Sequence, residues 1–172
     1  APRQVLKNII SLLDEENLRA VVAPELEFYL CEQNLDPDLP LKTPIGKSGR
    51  REKGSRVFGI DAVNEFDDLT DDIYDYCEIL KIGVDTLIHE SGPSQIEINL
   101  NHGDPLQLAD QAFMFKRAVR QVALKHGIHA TFMSKPYQGH PGSSMHIHQN
   151  IISKKTNKNL FSDENGNNTE EF

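Results

Sequence analysis

The chain has 172 residues, 38% hydrophobic and 26% charged, a balance that supports one soluble globular domain with its own core. A net charge of −8 argues against nucleic acid as a partner and means that an anionic substrate needs cations placed locally. No apolar run reaches the ~20 residues that span a bilayer, the opening APRQVLKN lacks the basic-then-apolar pattern of a secretory signal, and two cysteines outside any CxxC motif point to a reducing, cytoplasmic setting.

Residues 2–17 read as a helix, with Pro2 in its first turn and Val5, Leu6, Ile9, Leu12 and Leu13 at helical spacing. Residues 19–31, RAVVAPELEFYLC, read as a strand in which Pro24 marks an edge or bulge. A loop follows from 33 to 56 and ends in the basic cluster GKSGRREKGSR, read as a solvated face in preference to a phosphate contact. A second helix is predicted over 66–82, with Leu69, Ile73, Tyr76, Cys77 and Leu80 on one face and Gly83 as its stop. VDTLIHE, SGPS and QIEINLN then read as strand, turn and strand. The third helix is capped by Asp104, opened by Pro105 and ended by Gly127 after Lys125 and His126; Leu108, Ala112, Phe115, Val119 and Val122 form its core face. A short strand over 128–134, the loop KPYQGHPGSS and a strand MHIHQNII complete the order. Short turns between neighbouring strands predict an α+β fold, a mainly antiparallel sheet covered by helices on one side. Both ends read as cut, so the chain is expected to be a segment of a longer protein.

Three strands share an oddity. Alternation puts Glu25, Glu27 and Tyr29 on one face of PELEFYL, Gln95, Glu97 and Asn99 on one face of QIEINL, and His146, His148 and Asn150 on one face of MHIHQNI. Taken singly, each is what the solvent side of an antiparallel strand looks like. Taken together with Glu90, they offer four Glu and two His but neither Lys nor Arg. Such a set repels itself unless a cation compensates. Carboxylate oxygen with imidazole nitrogen suits Mg²⁺ or Mn²⁺, histidine favouring Mn²⁺, and the absence of cysteine speaks against structural zinc. For Gly139 and Gly142, spacing leaves an ordinary turn and a close backbone approach to a ligand both open. His89, His102, His126, His129 and His140 read as ordinary histidines, and Cys31 and Cys77 as space-filling thiols. GxSxG, Walker and GxGxxG motifs are absent.

PELEFYL resembles the ExE strand of the glutamine synthetase superfamily, HESGPSQIEI its HExxxxQxE segment, and KPYQGHPGSSMHIHQ its KPxxGxxGSGMHxH segment. The motifs occur in the family's order. The resemblance implies the N-terminal half of a catalytic domain over residues 1–172, with the family's β-grasp domain absent before Ala1. It implies ATP-dependent joining of the glutamate γ-carboxylate to an amine through γ-glutamyl phosphate. Carried over by motif, Glu27, Glu90 and Glu97 hold a first metal, and Glu25 and His146 a second, at Mg²⁺ or Mn²⁺ sites. His148 contacts the phosphate in transfer, Asn150 lies near the nucleotide, and Gly142 approaches glutamate with its backbone. Ser144 replaces the second glycine of GSG, Pro141 a frequent asparagine, and Asn150 a usual serine. The details between motifs resemble the γ-glutamylpolyamine and γ-glutamylamide branch, with putrescine or another polyamine as the amine. The alternatives are an ammonia-using glutamine synthetase, a non-catalytic structural relative, or a metal-dependent hydrolase with a similar Glu/His face. A ring-forming homo-oligomer is implied for the full-length protein, and an inactive fragment for this chain alone.

Overall fold

The computed structural model describes residues 1–54 and 56–170. Along the chain run α1 (Pro2–Glu15), β1 (Leu18–Glu32), α2 (Ile60–Asn64), α3 (Asp67–Ile79), β2 (Val84–His89), β3 (Gln95–Leu100), α4 (Pro105–Lys125), β4 (Ile128–Thr131) and β5 (Ile147–Ser153). The strands pair antiparallel in the order β2-β3-β1-β4, with β5 also on β1. The chain divides into two compact units, one from residues 1–24, 102–112 and 147 onward, the other from residues 25–101 and 113–146. β1 runs through both.

In the first unit, residues 18–24 of β1 pair with β5 from Leu18↔Ser153 to Pro24↔Ile147. Pro24 lies inside the longest strand, paired to β5 on one side and at a local edge on the other. Its missing N–H is tolerated because the β3 ladder begins only at Glu25↔Asn99, so no ladder bond is lost there. α1 forms as its periodicity predicts, and Arg3 ties it to Asp110 through a two-pronged contact of 3.0 and 2.9 Å. Its apolar stripe does not become core, however. Val5, Ile9 and Leu12 stay 62%, 50% and 57% exposed. Helical spacing specifies a face, but the covering surface has to come from elsewhere.

In the second unit β1 is central. Leu26, Phe28 and Leu30 share one face with Ile96, Ile98 and Leu100 of β3, and all six are essentially inaccessible to solvent. Helix packing on that face is visible in the rings: Phe132 lies 5.2 Å from Phe28 of β1 and 6.4 Å from Phe115 of α4. α4, whose residues to Ala112 belong to the first unit and the rest to the second, buries Leu108, Ala112, Phe115, Val119 and Val122 as expected. Asp104 caps it by accepting the Gln107 N–H at 2.9 Å, and Gly127 ends it at φ +73°.

The predicted second helix forms as α3, ending at Ile79 and not at 82, and a five-residue α2 that the sequence pattern did not announce precedes it. Leu69, Ile73 and Cys77 are buried, whereas Tyr76 and Leu80 stay exposed. Lys81, at φ +57°, takes the left-handed turn that was assigned to Gly83. β4 stops at Thr131, short of the predicted end at 134. The basic loop is anchored: Lys47 pairs with Asp67, and Arg51 with Glu32 and the Thr43 carbonyl. Both cysteines are buried, and burial raises each thiol to about 11, as space-filling side chains require.

Candidate functional site

The β1–β3 register sets Glu27 directly opposite Glu97, with Glu25 opposite Asn99 and Tyr29 opposite Gln95. Directly paired residues of an antiparallel ladder project from the same face, so the polar halves of the two strands form one surface. The turn between β2 and β3 returns Glu90 to that surface; it is closed by the Gln95 N–H donating to the Gly92 carbonyl at 3.1 Å and the Glu90 N–H to the Gln95 carbonyl at 2.9 Å. On the opposite edge of β1 the chain leading into β5 is already hydrogen-bonded. The Glu25 N–H donates to the His146 carbonyl at 3.0 Å and the Glu27 N–H to the Ser144 carbonyl at 3.3 Å. His146 thereby stands beside Glu25, its Nδ1 3.2 Å from Oε2.

One ligand atom from each of Glu25, Glu97 and His146 falls within 4.8 Å of the other two. Glu97 is only 7% exposed and Glu27 9%, which rules out the solvent-face reading for this pair. Burial first, then the charges of Glu25, Glu90 and Glu27, pushes the Glu97 carboxyl above its ordinary range. Glu97 is therefore within electrostatic reach of the other three acids. This triple takes Glu97 from one predicted ligand group and Glu25 with His146 from the other, so Glu97 lies within ligand distance of the second group.

Hydrogen bonds fix the acids. Gln95 Nε2 and the Ser144 N–H both address Glu27 Oε2, at 2.9 and 3.1 Å. Glu90 Oε2 accepts from the Ser91 N–H at 3.1 Å. Beneath them the Tyr29 hydroxyl donates to the Pro141 carbonyl at 2.8 Å, and burial together with Glu27 and Glu90 raises it to about 12. Beside Glu27 a cavity of about 170 Å³ is lined by Lys116, Ser134, Ser143 and Ser144 among others.

The two glycines separate. Gly139 adopts φ +80°, an ordinary turn. Gly142 has no such backbone; a Cβ there would lie 2.6 Å from the Ser134 carbonyl oxygen, so close backbone packing is what requires glycine. His148 and Asn150 belong to the first unit, on β5 opposite Ala23 and Val21. Both are exposed, and Asn150 Oδ1 accepts from Asn159 Nδ2 at 2.9 Å.

Sequence reasoning gave no role to Gln95 or Glu52. Gln95 was visible in the HExxxxQxE spacing, on the same face as Glu97. Glu52 was hidden inside a run of cations, yet its Oε2 meets His89 Nε2 at 2.9 Å and the Ser94 N–H at 2.6 Å. His89, with its Nδ1 2.8 Å from the Glu90 carbonyl, is thus a satisfied core histidine.

Residues 1–171 match the sequence model of the family described as "Glutamine synthetase, catalytic domain". The chain is 41% identical over 169 residues to γ-glutamylputrescine synthetase PuuA of Escherichia coli K12, covering 96% of this chain and 35% of that protein. It is 34% identical over 165 residues to glutamine synthetase of Pyrococcus abyssi, covering 96% and 35% respectively. It spans about a third of these relatives' length. Among solved structures, ligand-free GmaS superimposes with a TM-score of 0.79 at 27% identity, over 95% of this chain and 37% of that one. With the family match unbroken from residue 1 to residue 171 and the motif acids gathered on one face, this chain belongs to the glutamine synthetase catalytic-domain family.

Proposed function

We propose that the full-length protein is an ATP-dependent ligase that joins the γ-carboxylate of glutamate to an amine through γ-glutamyl phosphate. The observation that carries this reading is the buried acidic face: Glu97 among three other carboxylates, with Glu25 and His146 within ligand distance. A donor set of carboxylates and one imidazole fits Mg²⁺ or Mn²⁺, and the mutual repulsion of the acids is what bound cations would relieve. Glu27, Glu90 and Glu97 are assigned to a first ion, and Glu25 and His146 to a second, with Glu97 close enough to serve both. Divalent ions bound there supply positive charge to the phosphates and to the group in transfer.

The chain's own residues do the rest. Glu27, held through Oε2 by Gln95 and Ser144, keeps one orientation while substrates come and go. The Gly142 segment, packed on the Ser134 carbonyl, presents backbone to glutamate. His148 is assigned to the phosphate in transfer and Asn150 to the nucleotide. The GmaS structure in complex with ADP supports a nucleotide site in this fold.

For the amine, 41% identity to γ-glutamylputrescine synthetase supports a polyamine. Ammonia is the second reading, favoured by 34% identity to the Pyrococcus abyssi enzyme. Four acids drawn together on one face, with Glu97 and Glu27 buried there, weigh against a scaffold. Because the chain spans 35% of its relatives, we place it in the N-terminal half of the catalytic domain and assign the whole protein, with its β-grasp domain, to a ring-forming homo-oligomer. Two unpaired thiols support the cytoplasm, and among the described residues no helix is long and apolar enough to cross a membrane.

The deciding experiment assays the full-length protein with ATP, glutamate and a panel of ammonia, putrescine and other amines. Phosphate release is expected to require both glutamate and an amine, with putrescine or a related amine preferred. Ammonia winning clearly overturns the polyamine assignment, and release without glutamate or amine makes the protein a hydrolase.

A further inference from the structure

We infer that Gln95 is a positioning residue that sets the orientation of the Glu27 carboxylate and couples it to the Gly142 segment. Gln95 is 1% exposed and its amide is used on both sides. Nε2 donates to Glu27 Oε2 at 2.9 Å and to the Gly142 carbonyl at 3.0 Å, while Oε1 accepts the Gly92 N–H at 2.9 Å. Flipping the amide would set its oxygen against two acceptors and its NH₂ against a donor, so only one orientation satisfies all three neighbours. One side chain therefore joins three pieces of chain: the acidic strand β1, the turn before β3, and the segment before β5.

The choice of an amide has a chemical reason. A lysine or arginine at this position would also hold Glu27, but it would neutralise the carboxylate and compete with a metal ion for it. An amide orients without adding charge. Both of its partners on the acid, Gln95 Nε2 and the Ser144 N–H, address the same oxygen, which leaves Oε1 as the oxygen offered to the ion. Gly92 completes the arrangement, because a Cβ there would lie 1.8 Å from the Tyr29 hydroxyl. The turn can therefore bring its N–H to Gln95 only while residue 92 has no side chain.

This inference rests on the metal-site reading above, and its test separates the two. Gln95→Met in the full-length protein keeps the length and removes the three side-chain hydrogen bonds. Mn²⁺ binding by calorimetry is expected to weaken ~10–100-fold, the usual effect of losing a group that orients a ligand. The KM for glutamate should rise more than the KM for ATP, because the Gly142 segment loses its tether. A purely structural role would lower the melting temperature and the active fraction while leaving both quantities unchanged in the folded population. An unchanged Mn²⁺ affinity with an unshifted ratio of KM values overturns the inference. A wild-type protein that fails to bind Mn²⁺ overturns the metal site itself, and this inference with it. If Gln95→Met does not fold, Gln95→Asn, with the same groups one carbon shorter, is held to the same criteria.

Discussion

Glu97 sits opposite Glu27 in a two-stranded ladder, near Glu25 and Glu90, and its own burial is the largest reason its pKa rises. A carboxylate with a raised folded pKa binds its proton more tightly in the folded state than in the unfolded one. Its contribution to stability is therefore fully present below the unfolded value and is lost as pH rises through the folded value. Glu97→Gln removes the charge, so the metal-free variant should melt higher than wild type at neutral pH. The gain is on the order of 0.2–1 kcal/mol, the cost of like charges directly opposed on a ladder, and thermal melts should show it shrinking as pH falls toward the ordinary carboxylate range. Saturating Mn²⁺ should reverse the order, because the variant has lost a ligand. A variant less stable than wild type without metal at neutral pH would mean that the acids are not in conflict. Gly142→Ala meets a backbone carbonyl and not a pliable side chain, so it should lower the melting temperature and raise the KM for glutamate together. At this scale much of the site was legible: alternation put Glu25 and Glu27 on one face of their strand and Glu97 on the polar face of another, and the Glu27↔Glu97 register makes the two faces one surface. What alternation could not show was the hydrogen-bond partner of each acid, since Ser144 reaches Glu27 through its backbone N–H and residue type says nothing about that.

Among elements, β1 carries both the core and the chemistry. Its helix-side residues Leu26, Phe28 and Leu30 are fully buried, and Phe28 links the sheet to α4 through Phe132. Phe28→Ala is expected to cost about 3–5 kcal/mol in urea unfolding, and a loss below 1 kcal/mol, the level of an ordinary surface change, would contradict this packing. The basic loop is a second element with an unexpected duty. Glu52 reaches out of its cationic run to hold the buried His89 and the Ser94 N–H, fastening the loop to the hairpin that carries Glu90 and Glu97. Glu52→Ala leaves both donors unpaired and should destabilise by about 1–3 kcal/mol, measured by the same unfolding curves. α4 was readable in full because cap, stop and face agree on one register. α3 was not, because Tyr76 and Leu80 continue the apolar periodicity onto a side that remains exposed. α1 shows the same limit: a pattern predicts that a helix forms, and the covering surface is a matter for the rest of the molecule.

At the scale of the whole molecule, the proposed function asks an acidic chain of net charge −8 to meet anionic substrates through cations that its clustered acids would hold. The order of elements and the antiparallel sheet followed from turn signals and strand alternation, whereas the division of the chain into two units, with β1 passing through both, left no mark in composition. Since the chain spans about a third of its relatives, the 172 residues alone are expected to show no turnover with ATP, glutamate and putrescine; measurable phosphate release from them would place the whole catalytic apparatus within this segment. The most direct test of the account is Mn²⁺ titration of the full-length protein by calorimetry, for wild type and for Glu27→Ala, Glu97→Ala and Glu25→Ala. Saturable binding in wild type, weakened in every variant by more than the ~10–100-fold typical of an outer-shell change, is the predicted result. Wild-type affinity in all three variants would contradict the claim that these acids hold the ions.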